Sequence, residues 1–81
     1  MKLYEIKNFE AGLFDRKTGE KTIKVKNDKD YQVGDLIRFI NENTLYRIID
    51  VLNDLEGYGL GKDDCILTIL GIKEELNNDR N

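Results

Sequence analysis

The sequence predicts a small, mainly β (α+β) domain: a β-barrel of five or six strands with one short helix near its N-terminus. Three observations predict it. Short runs rich in β-branched and aromatic residues recur along the 81-residue chain, separated by turn-forming residues, the pattern of a sandwich or barrel. The composition, 40% hydrophobic and 36% charged, is that of an ordinary globular domain. An open sheet in so short a chain would leave two apolar edges in water, and closure removes them. A chain of this size buries only about 60% of its unfolded surface, so its stability is marginal.

Each element has its own signal. Leu3, Tyr4 and Ile6 among Lys2, Glu5 and Lys7 read as an opening strand. Asn8 is placed to cap a short helix carrying Phe9, Leu13 and Phe14, although Gly12 inside it costs about 1 kcal/mol relative to alanine. Residues 15–19 form a turn, with Gly19 suited to a positive φ. Residues 21–26 alternate most cleanly: Ile23 and Val25 face the core, while Thr22, Lys24 and Lys26 project from the other face. A polar connection at 27–30 and a Val33-Gly34-Asp35 turn lead to a strand at 36–40. Four polar residues at 41–44 join it to residues 45–52 as a hairpin. Residues 53–64 are irregular and hold Gly57, Gly59 and Gly61 around Tyr58 and Leu60. The last strand, 65–72, is apolar at nearly every position, as expected where both faces are covered or the sheet closes. Residues 1–76 are expected to form one domain and 77–81 a frayed tail.

Composition narrows the chemistry. With no histidine, a Ser-His-Asp triad, a Cys-His pair and a His-containing zinc site are impossible. One cysteine allows neither an intrachain disulfide nor a Cys-only metal site, so no metal or cofactor is expected. Cys65 opens the apolar run Cys65-Ile66-Leu67 and reads as a small core hydrophobe. Charges every two or three residues at the start leave no secretory apolar region, and no stretch approaches the roughly 18 apolar residues of a membrane span. A cytoplasmic protein without membrane contact is the expectation.

Charge is unevenly divided. Residues 1–30 hold eight basic and six acidic side chains, a balance of +2, and residues 31–81 hold five and ten, a balance of −5, giving the net −3. Within 16–29, six basic residues face only Glu20 and Asp28. A basic strand face of this kind neutralises phosphates and makes binding salt-dependent; the simpler alternative is a solvated strand whose lysines block aggregation. The glycines around Tyr58 lack both a following helix N-terminus and a Gly-Lys-Ser/Thr, so a tight turn with Tyr58 as a packing or stacking ring explains them better than a phosphate loop. The pairs Asp63-Asp64 and Glu74-Glu75 point apart on a strand and do not suggest acid/base work. A desolvated lysine acting as nucleophile or base remains an option, with Lys21 and Lys24 as its candidates.

The stretch Gly19-Glu20-Lys21-Thr22, followed by Lys26-Asn27-Asp28-Lys29-Asp30-Tyr31-Gln32-Val33-Gly34-Asp35, resembles the ASCH domain of the PUA-like superfamily. It is most similar to a small ASCH-like group of bacterial and phage proteins. Gly19 and Lys21 match that group's Gly-x-Lys-x-x-Glu-x-Arg motif, whereas Lys24 and Lys26 stand where the motif has glutamate and arginine. The resemblance implies a PUA-like barrel with a cleft beside the first helix that binds RNA or a nucleotide-like ligand. Lys21, Lys24 and Lys26 would contact phosphate, Asn27 and Asp28 would orient the loop or touch the ligand, and Tyr58 would stack. Two other readings stand beside it. Some ASCH-like proteins resemble amidohydrolases of acetylated cytidine nucleosides, which would make Lys21 or Lys24 catalytic with a carboxylate from Asp28 or Glu74. The third is a protein-interaction module of a mobile genetic element, with the acidic C-terminal half as its partner surface.

Overall fold

In the computed structural model, which describes residues 1–53 and 63–72, the period-2 segments are strands. They are β1 (Leu3–Ile6), β2 (Glu10–Phe14), β3 (Glu20–Lys26), β4 (Leu36–Phe39), β5 (Leu45–Asn53) and β6 (Asp64–Ile72). All six join one sheet in the order β1-β4-β5-β6-β3-β2. Only β1 and β4 run parallel; the other neighbours are antiparallel. The expected hairpin is β4–β5, closed by the Glu42 amide donating to the Phe39 carbonyl at 3.0 Å.

Alternation decides the inner face. Ile23 and Val25 on β3, Ile37 and Phe39 on β4, Tyr46 and Ile48 on β5, and Cys65, Leu67 and Ile69 on β6 are all buried. Central β6 carries three of the five side chains with no exposure at all, because strands flank it on both sides. The Val33-Gly34-Asp35 turn is a structural clamp. Buried Asp35 accepts from the Lys2 amide at 3.1 Å and the Gln32 amide at 3.2 Å, fixing the start of β1 against the entry to β4. Two carboxylate oxygens thus satisfy two backbone donors that the turn would leave unpaired.

Two expectations are corrected. Residues 10–14 are the edge strand β2 and not a helix. A single helical turn or two is marginal by itself, and here the backbone pairs with β3 instead, Glu10 opposite Lys24 and Ala11 opposite Ile23. A register break follows between Ala11 and Phe14, where the Leu13 amide donates to Thr22 Oγ1 at 2.7 Å. Gly12 is needed there because a Cβ would meet that same oxygen at 2.2 Å.

Nor do the described residues close the sheet into a barrel. Among the described residues β1 and β2 are free edges with no ladder between them. The sheet nevertheless curls, since Ile6 of β1 and Val25 of β3 line one cavity although three strands separate them. Phe9, in the link between the two edge strands, packs on Phe39 with ring centroids 4.4 Å apart. Aromatic packing, not hydrogen bonding, joins that side of the core.

Candidate anion-binding site

Parity along β3 separates the lysines that the sequence placed together. Lys21 shares its face with Ile23 and Val25, whereas Lys24 and Lys26 point the other way. Five residues of strand also put Lys21 and Lys26 roughly 16 Å apart along the chain. No single surface gathers all three.

At the far end of β3 the charges are mixed. Lys24 pairs across the strands with Glu10, Nζ to Oε1 3.5 Å. Lys24 and Lys26 share a cavity of about 260 Å³ with Glu10 and Asp64. Lys26 and Asp28 line a second one of about 180 Å³ with Lys7, Lys29 and Tyr31. Asn27 is half-buried and its amide donates to the Asp63 carbonyl at 2.7 Å, so its backbone extends the sheet. Tyr31 is buried, and burial first, then the Asp28 carboxylate, pushes its phenol up to about 12. Cys65 lies wholly in the core, where burial first, then Asp64 and Asp28, pushes its thiol up to about 11. It is a packing residue at neutral pH, not a nucleophile. Tyr58 and Glu74 lie outside the described residues.

The near end of β3 is different. The β2–β3 turn is held by the Gly19 amide donating to the Asp15 carbonyl at 2.7 Å and the Asp15 amide donating to the Glu20 carbonyl at 2.8 Å. The Lys17 amide donates to Asp15 Oδ1 at 2.8 Å, and the Glu20 amide donates to Thr18 Oγ1 at 3.1 Å. Gly19 closes the turn at φ 81°, in the left-handed region that glycine adopts without strain. This backbone work fixes Arg16 and Lys17 at the rim of a cavity of about 580 Å³, floored by Tyr46 and Gly71.

Lys21 reaches into the same cavity. Its Nζ donates to Tyr46 Oη at 3.1 Å and sits 4.9 Å from the centroid of the Tyr46 ring. A cation on an aromatic face, hydrogen-bonded at one of its three protons, is oriented and keeps two protons for a ligand. Tyr46 Oη accepts that bond, so its own proton is free to donate. Arg16, Lys17, Lys21, Thr18, Thr44 and Tyr46 give the cavity its donors, and among the described residues no carboxylate lines it. Such a surface suits an oxyanion with several acceptor oxygens.

Sequence reasoning found Lys21 but missed its companions. Parity carried a usable signal, since Tyr46 is two residues from Ile48 and therefore faces inward with Lys21. Fold and site together define a small curled-sheet domain with a cationic, hydroxyl-lined cavity at one end of its third strand. The chain matches no protein-family model, no curated protein and no solved structure.

Proposed function

We propose that this domain binds RNA or a nucleotide-like anion, with Lys21 at the centre of the site. One observation carries the reading: the Lys21 ammonium is oriented by Tyr46 inside a cavity lined by Arg16 and Lys17 and, among the described residues, by no acidic side chain. Three cations within one concavity concentrate positive potential even though the chain as a whole carries a net charge of −3. Similarity of the residues around Gly19 and Lys21 to the ASCH motif supports the same ligand class. Lys24 and Lys26 act as secondary contacts, because Glu10, Asp28 and Asp64 offset them locally. The amidohydrolase reading has less support: Asp28, its nearest candidate partner in the sequence, lines a different cavity from Lys21.

Fluorescence anisotropy with labelled single- and double-stranded RNA tests the proposal. Neutralising phosphates with three cations gives a salt slope of about −2 for single strands, so affinity should fall about 20-fold between roughly 50 and 200 mM salt. Lys21→Ala should weaken binding and reduce that slope by about 0.7, while Lys24→Ala and Lys26→Ala should each do less. Absence of binding at the lower salt defeats the proposal. If Lys24→Ala and Lys26→Ala cost more than Lys21→Ala, the ligand lies on the outer face instead.

A further inference from the structure

Lys21 borders a second cavity. On its other side, Phe9, Phe14, Ile23 and Phe39 enclose about 270 Å³ of largely apolar space, and Lys21 lines this cavity as well as the cationic one. Phe9 and Phe14 keep 43% and 58% of their surface exposed, although Phe9 already leans on Phe39. Exposed phenylalanines thus border a concavity that shares one cation, Lys21, with the cationic cavity. The two cavities match the two halves of a nucleotide, a flat base and a phosphate.

We infer that the two cavities form one bipartite site, in which the cationic cavity takes the phosphate of a nucleotide and the aromatic cavity takes its base. The inference rests on the anion-binding proposal above and adds the identity of the ligand. Stacking is indifferent to which base is present, so any preference must come from polar groups at the cavity wall. Thr22 Oγ1 is already engaged by the Leu13 amide. Among the described residues lining the cavity, the charged acceptor is the Glu42 carboxylate, exposed and placed by the tight turn after Phe39. Guanine is the base with two adjacent N–H donors on one edge, N1–H and the N2 amine, and a carboxylate accepts both together. Adenine and cytosine offer one amine. Uracil presents a single N–H between two carbonyl oxygens, which a carboxylate repels. The site therefore favours a guanine nucleotide, free or at an unpaired position of an RNA.

Titration calorimetry of the intact chain with GMP, AMP, CMP, UMP and inorganic phosphate at about 50 mM salt tests this. The expected order is GMP first and UMP last, separated by about tenfold or more. Phe9→Ala should weaken every nucleotide by about tenfold while leaving inorganic phosphate unchanged. Glu42→Gln, a change at an exposed turn, should bring GMP close to AMP without weakening UMP. Equal affinity for the four nucleotides, together with insensitivity to Phe9→Ala, overturns the bipartite site and leaves the anion-binding proposal standing. Failure of phosphate and nucleotides to bind while RNA still binds at about 50 mM salt overturns the bipartite site alone, and failure of RNA as well overturns the two together.

Discussion

Tyr31 and Cys65 show how residues with reactive groups serve the core in this protein. Both are buried, and both hold their protons more tightly than in the unfolded chain: the phenol rises from 10.0 to about 12 and the thiol from 9.0 to about 11. Each is neutral when protonated, so the unfolded chain ionises first as pH rises. The folded state thus keeps its full stability below about pH 9 and loses it progressively toward about pH 12. Urea midpoints measured from pH 8 to 11.5 should fall, and Tyr31→Phe should flatten the upper part of that decline. A midpoint constant through pH 11 would contradict the burial of both groups. Lys21 serves the cationic cavity instead of the core. Its position on the inner face is readable from the alternation of β3, but its contact with Tyr46 is not. That contact joins residues 25 positions apart, and it exists only because β6 brings β3 and β5 to its two sides.

Among the elements, β2 departs most from its local signal. Phe9, Leu13 and Phe14 have helix-compatible spacing, yet residues 10–14 gain more by satisfying the open edge of β3 than by closing isolated helical turns. Gly12 is the residue on which this choice turns. Any Cβ there meets Thr22 Oγ1 at 2.2 Å and the Thr22 carbonyl at 3.0 Å, and the second of these is backbone. Gly12→Ala should therefore destabilise the domain by about 1–3 kcal/mol, measured as a shift in the urea midpoint with an unchanged slope. An unaltered midpoint would mean that β2 does not approach β3 this closely. The other strands were legible from alternation in β3 and from apolar, β-branched runs elsewhere, although β6 proves buried on one face and not on both. Within the Asn27 to Asp35 run, Tyr31 and Asp35 serve packing and turn closure.

At the scale of the whole molecule, two of the five strand pairings join strands distant in sequence: β1 pairs with β4, and β3 with β6. Loop closure must precede such pairing, so refolding should take milliseconds to seconds. The chain contains no proline, and the slow phase of tens of seconds that prolyl isomerisation produces should be missing. Stopped-flow refolding from urea checks both; a dominant phase slower than about ten seconds would count against this topology. The sequence by itself determined the β class, the boundaries of five strands to within a residue, the inward residues of β3 and the exclusion of histidine chemistry and an intrachain disulfide. These follow from period-2 alternation and composition, which are local properties. Tertiary structure alone decided that β2 is a strand, that no ladder joins β1 to β2 among the described residues, and that Lys21 meets Tyr46, Arg16 and Lys17. Strand order sets those neighbours, and strand order comes from the joint burial of one apolar face, a quantity that no single segment of the chain carries.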